Sequence, residues 1–233
     1  MSNVIALVGN IGAGKDTVAS ILSEKHGYKP IAFAARLKAL AGYLFHINQD
    51  VLYGPSAKRN TVIDLTEDQW RQTYTELKSH TLQHVLKMLF WDEATQQDAL
   101  SKLYELCYTF KHYKEPLTAR VILQQLGTEW GRKLDDSVWV RTVRSTVTTE
   151  GGNWVITDCR FPNEGAFIKN MPEANGRAVW LDASKRVQRT SDHASEPTRA
   201  DFDGIVTYDL DNNGSLAELE ANIETMLTAI FRG

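Results

Sequence analysis

The stretch VIALVGNIGAGKDT, residues 4–17, decides the fold. Val4 to Val8 form an unbroken apolar run that stops at glycine. It is too short for a helix and reads as a strand buried on both faces. Gly9 and the pair Gly14-Lys15 then fit the phosphate-loop spacing of glycine, four residues, glycine-lysine. Glycines let the chain wrap so that successive backbone N–H groups point at phosphate oxygens. A helix from about Gly14 to His26, closed by Gly27, adds its positive N-terminus. Lys15 supplies a mobile positive charge that follows a phosphoryl group in transfer. A glycine-rich turn that binds nothing explains this context poorly, so the stretch points to a nucleoside triphosphate.

Outward from the loop, strands and helices alternate. Residues 30–34 are a second strand candidate, and Leu37, Leu40, Ala41 and Leu44 recur at three and four for a helix over 36–45. WVIT at 154–157, ending in Asp158, AVWL at 178–181, ending in Asp182, and IVTY at 205–208 are three more strands. Five short apolar strands separated by helices predict an α/β fold with a five-stranded parallel sheet flanked by helices. Residues 48–116 carry only helical spacing: a capping box at Thr66–Gln69 precedes Trp70, Tyr74 and Leu77, Leu103, Cys107 and Phe110 mark a later helix, and Pro116 closes the stretch. Residues 117–134 read as one helix, with Ile122, Leu126 and Trp130 on one side and a polar row of Arg120, Gln124, Thr128 and Arg132 on another. Gly127 in it would admit a ligand or another backbone. A helix over 135–147 stops at Gly151-Gly152, and a second capping box at Ser215–Glu218 opens a terminal helix.

Lys and Arg total 26 against 29 Asp and Glu, a formal net charge of −3. That balance offers no field for a nucleic-acid polymer or an anionic membrane, and no apolar run suits a signal or a span. The expectation is a cytoplasmic protein acting on small molecules. Cys107 and Cys159 match no metal or redox spacing and are expected as buried thiols, and the six histidines follow no metal-ligand pattern. Trp70, Trp91, Tyr104 and Tyr108 sit at helical apolar positions and are expected in a core; Trp139 suits either a core or a base.

Asp16 follows the loop lysine and the hydroxyl comes one place later, at Thr17, as in the nucleoside monophosphate kinases, which the loop resembles. Further matching segments are FAARLK at 33–38, LQQLGTE at 123–129, VITDCR at 155–160, HASE at 193–196 and NGSL at 213–216. Together they make the chain similar to the bacteriophage deoxynucleoside monophosphate kinases, a divergent branch of the P-loop kinases. The resemblance implies one domain over 1–233, a helical insertion at 48–116 near the acceptor, and a short lid at 183–200 that closes on the triphosphate. It implies transfer of the γ-phosphoryl of ATP to a deoxynucleoside monophosphate, with Mg²⁺, in the host cytoplasm if phage-encoded. Partners are then small-molecule nucleotides and, in the family's manner, a second copy in a homodimer.

Under that reading Gly12, Ala13, Gly14, Lys15, Asp16 and Thr17 bind ATP, helped by Arg186 and Arg189. Arg36, Lys38, Arg120, Gln124, Thr128, Arg132 and Arg160 serve the acceptor, because two anions brought together need several fixed cations. Lys15, Asp158, Arg160 and Arg186 are the catalytic candidates, with Thr17 and, through water, Asp158 serving Mg²⁺. The plainer reading of Asp158 is a carboxylate that caps the next turn, and that of Arg186, Arg189 and Arg199 is a solvated basic loop. His193 and Glu196 match the family without a chemical role. No general base is required, since a phosphate acceptor is already nucleophilic at neutral pH. Two rivals remain: another small-molecule P-loop kinase of the phosphomevalonate or dephospho-coenzyme A type, and an ATP-dependent switch protein.

Overall fold

The first strand, β1 (Ser2–Val8), is completely buried from Val4 to Val8, as its continuous apolar run requires. The computed structural model describes residues 2–90, 92–187 and 197–231. After β1 come α1 (Lys15–His26), β2 (Lys29–Ile31), α2 (Ala35–Phe45), α3 (Gln49–Tyr53), a 3₁₀ turn (Ser56–Asn60), α4 (Glu67–Glu76), α5 (His80–Leu89) and α6 (Glu93–Lys111). Next are α7 (Ala119–Gln124), a π-helical stretch (Gln125–Arg132), α8 (Val138–Glu150), β3 (Trp154–Cys159), α9 (Pro162–Lys169), β4 (Ala174–Asp182), a 3₁₀ turn (Ala200–Phe202), β5 (Val206–Asp211) and α10 (Leu216–Phe231). The chain divides into two compact units, Met1–Phe33 with Val143–Gly233, and Ala34–Thr142.

In the first unit the five strands form one all-parallel sheet in the order β2-β3-β1-β4-β5. Ile5, Leu7, Val155, Val179, Leu181 and Leu210 face α1 and α10 in one buried cluster. Period-two alternation sends Val4, Ala6, Ala178 and Trp180 to the opposite face. There α9 packs so closely that a Cβ on Gly176 would collide with the Ile168 carbonyl. The connection leaving β1 runs to one side of the sheet and that leaving β4 to the other. Their shared carboxyl end is therefore a topological switch point, where ligands bind in open α/β sheets.

The second unit is helical apart from a single antiparallel bridge, Val62 to Thr118, among its described residues. It begins at Ala34 and reaches Thr142, wider than the 48–116 stretch. Phe45 is at its centre, edge-on to Phe110 at 5.4 Å and to Trp70 at 6.3 Å, and Phe90 meets Trp130 at 5.6 Å. The expected capping box at Thr66–Gln69 forms. Tyr108 departs from its expected place in the core and is 63% exposed, while Trp91 lies outside the described residues.

Two further expectations are corrected. The second strand ends at Ile31, because the backbone of Phe33 turns to donate to Asp158. Residues 117–134 are not one α-helix: α7 passes into the π-helical stretch, whose wider turn brings in two side chains. A Cβ on Gly131 would lie 2.6 Å from Trp139 Cζ2, and one on Gly127 would lie 2.9 Å from Leu37 Cδ2. The indole N–H of buried Trp139 donates to the Gly127 carbonyl at 3.0 Å. The neighbours admitted at Gly127 are thus Leu37 and Trp139, and Trp139 belongs to the core.

Candidate active site

The phosphate loop leaves β1 at the switch point. Its turn is closed by Ala13 N–H donating to the Asn10 carbonyl at 3.1 Å. Gly14, at φ 92°, is the N-cap of α1, and no side chain among the described residues caps that helix. The first-turn N–H groups of α1 thus face outward with the positive end of the helix dipole, the arrangement that receives phosphate. Gly14 also has no room for a side chain, since a Cβ there would stand 2.4 Å from Asn212 Nδ2. The Lys15 ammonium lies over the loop, donating to the carbonyls of Gly9 at 2.6 Å and Asn10 at 2.9 Å. Asp16 and Thr17 are exposed beside it.

Asp158 and Arg160 come to the same end of the sheet through register, because Cys159 pairs with Val8, the residue before the loop. Asp158 Oδ1 accepts the Phe33 N–H at 2.7 Å, a bond to the exit of β2 and not to the turn that follows Asp158. Arg160 is half-buried, and its backbone is fixed by a residue that sequence reasoning missed: Glu164, 2% exposed, accepts the N–H of Arg160 at 2.7 Å and of Phe161 at 3.0 Å. The signal was Pro162 at the first position of α9 with Glu at the third, the acidic half of a capping box.

Beside α1 lies a recess of about 230 Å³ lined by Gly12, Gly14, Thr17, Arg186, Asn212, Gly214, Leu216 and Leu219. Arg186 Nε donates to the Asn212 carbonyl at 2.7 Å, and Leu216 is 59% exposed. A larger open cavity of about 610 Å³ lies between the carboxyl ends of β4 and β5, with Asn10 and Arg199 on its wall. Arg199 is not poised for a triphosphate: it is paired with Asp209 at 2.6 Å and Asp203 at 3.0 Å. Of the lid stretch, residues 188–196, and with them Arg189, His193 and Glu196, lie outside the described residues.

The acceptor candidates other than Arg160 belong to the second unit. Arg36 is exposed on the first turn of α2, and Lys38 rests its ammonium 5.1 Å from the Tyr53 ring. Arg120 Nε donates to Asn60 Oδ1 at 2.8 Å, and Arg132 reaches the Asp136 carbonyl at 3.5 Å. Gln124 and Thr128 are exposed, and Arg120 and Arg132 half-buried, so the polar row stays at the surface through the change of helix type.

No cluster of three His, Cys, Asp or Glu side chains exists among the described residues. Asp16, Thr17 and Asp158 are hard oxygen donors of the kind Mg²⁺ accepts when nucleotide and water complete its shell. Both cysteines are buried thiols, and burial pushes the Cys107 thiol up to about 12, which leaves it inert. No described helix is long and apolar enough to cross a membrane.

The chain is similar to known proteins. A Deoxynucleoside-5'-monophosphate kinase of Escherichia phage T5 is 26% identical over 219 residues, covering 84% of each chain. A protein of Acanthamoeba polyphaga mimivirus, provisionally named a deoxynucleotide monophosphate kinase, is 24% identical over 235 residues, covering 94% of this chain and 93% of its own. The model of the deoxynucleotide monophosphate kinase family matches residues 3–223, nearly the whole length and both units, and the chain therefore belongs to that family.

Proposed function

We propose that the chain transfers the γ-phosphoryl group of ATP to the phosphate of a deoxynucleoside monophosphate, giving the diphosphate and ADP. The observation that carries this reading is the uncapped start of α1 behind Gly14, with Lys15 beside it, in a chain of this family. Backbone N–H groups of the loop and α1 cradle the β- and γ-phosphates. Lys15 leaves the Gly9 and Asn10 carbonyls and follows the charge that gathers on the bridging oxygen. The recess beside Gly12 and Thr17 receives the base of ATP, with Leu216 as apolar floor and Arg186 at its edge. Arg160 neutralises charge on the phosphoryl group in flight. Arg36, Lys38, Arg120 and Arg132, with Gln124 and Thr128, receive the acceptor, whose phosphate oxygen is the nucleophile. Thr17 and, through water, Asp158 would hold Mg²⁺, which would supply neutralisation of the phosphate oxygens.

The test is ADP release over a panel of deoxy- and ribonucleoside monophosphates, with phosphomevalonate and dephospho-coenzyme A as competing acceptors. Turnover is expected only when a deoxynucleoside monophosphate is added, and Lys15→Met is expected to abolish it while leaving the fold intact. Turnover confined to another acceptor, or hydrolysis with none, overturns the reading.

A further inference from the structure

We infer that Asn212 is a positioning residue that orients the phosphate loop, an inference that rests on the function proposed above. Asn212 is 5% exposed and stands at the end of β5, 199 positions from the loop it touches. Its Nδ2 donates to the Ala13 carbonyl at 2.7 Å, its backbone N–H donates to the Asp182 carbonyl at 2.8 Å, and its own carbonyl accepts Arg186 Nε at 2.7 Å. One buried residue thus links the loop, the end of β4 and the recess arginine.

The chemistry of the link lies in the peptide between Ala13 and Gly14. No peptide bond among the described residues is cis, and across a trans peptide the C=O and the following N–H point in opposite directions. A donor that draws the Ala13 carbonyl towards Asn212 therefore aims the Gly14 N–H the other way. A phosphate loop needs this polarity, with carbonyls turned back and amides turned to the anion. Without the donor, the Ala13 carbonyl is released to rotate towards the ligand side, where it repels phosphate. The same contact explains why residue 14 has no side chain, since Asn212 occupies the space that a Cβ would take.

Asn212→Asp has nearly the same shape but faces the Ala13 carbonyl with a carboxylate oxygen. Binding of a fluorescent ATP analogue, measured directly with the full chain, is expected to weaken at least tenfold at pH 7.5, a loss comparable to one hydrogen bond plus the repulsion that replaces it. Binding of the acceptor nucleotide is expected to stay unchanged. Asn212→Ala, which removes the donor without adding charge, should weaken ATP by less than the Asp variant does, and it serves alone if the Asp variant does not fold. Parental ATP affinity in both variants, or equal losses for ATP and acceptor, overturns the inference. A parent chain that binds the ATP analogue yet phosphorylates no nucleoside monophosphate overturns the proposed function and leaves the role of Asn212 in ATP binding to be judged by these titrations.

Discussion

The backbone N–H of Phe33 donates to Asp158 Oδ1 at 2.7 Å, joining the exit of β2 to the carboxyl end of β3. One carboxylate thereby has a structural duty, and the proposed function gives it a second, the ordering of Mg²⁺-bound water. The two duties separate by substitution. Asp158→Asn keeps an oxygen acceptor for Phe33 and should unfold close to the parent, yet lose about 10–100-fold in turnover, the usual loss when an outer partner of a metal is removed. Asp158→Ala should lose both. If the Asn variant keeps full turnover over a Mg²⁺ titration, Asp158 is only a cap.

Glu164 supports Arg160 in the same region. Its buried carboxylate takes two backbone N–H groups, those of Arg160 and Phe161. Glu164→Ala leaves both without that acceptor and is expected to cost about 2 kcal/mol or more in urea unfolding. Glu164→Gln, which retains one amide oxygen, should recover most of the stability. Because the proposed function places Arg160 on the phosphoryl group in transfer, kcat of the Ala variant should fall more than its KM for ATP rises. A fall in stability with unaltered kcat would assign Glu164 to the fold alone.

These contacts mark where the sequence stops being readable. β1 and the phosphate loop are legible because their information is local: an apolar run buried on both faces, then a spacing that few other structures explain. The first half of β4 is hidden, since Ala174 and Gly176 are buried while Asn175 and Arg177 are half-buried, and only pairing with Ser2 to Ile5 makes the segment a strand. The polar row on α7 is legible, but the change to a π-helix is not, because it depends on Leu37 and Trp139 entering the turn. Asn212 and Glu164 are polar residues whose importance comes from burial and from partners that no local spacing reveals. Arg199 illustrates the converse: its charge suggests a ligand, and Asp209 and Asp203 hold it instead.

Acid should weaken the carboxyl end of β4. Asp182 Oδ1 accepts the Ser184 N–H at 2.9 Å, and this bond, aided by the Ser184 hydroxyl, Asn213 and Lys185, holds its pKa below the ordinary carboxylate value despite some burial. A folded-state pKa below the unfolded one contributes stability that is present above about pH 4 and is lost as pH falls through the folded value. The difference in melting temperature between the parent and Asp182→Asn should therefore be largest near neutrality and shrink steadily below about pH 4. A difference that does not change between pH 7 and pH 3 contradicts this assignment.

The two glycines of the π-helical stretch should respond unequally to alanine. At Gly131 the new methyl would meet the ring of buried Trp139 at 2.6 Å and the Leu126 carbonyl at 3.1 Å. The ring is held by its indole bond to Gly127 and has nowhere to turn, so Gly131→Ala should destabilise by about 1–3 kcal/mol, as overpacking of a rigid core does. At Gly127 the obstacle is Leu37 Cδ2, the far end of a flexible side chain, at 2.9 Å. Rotation of that leucine costs little, and alanine gains up to about 1 kcal/mol of helix propensity over glycine, so Gly127→Ala should stay within about 1 kcal/mol of the parent. Urea unfolding of both variants decides the point. The contrast also bears on function, since Gly127 lies between Gln124 and Thr128 of the polar row. If Gly127→Ala keeps its stability but raises the KM for the deoxynucleoside monophosphate, the acceptor approaches this turn; if both constants are unaltered, Gly127 serves packing alone.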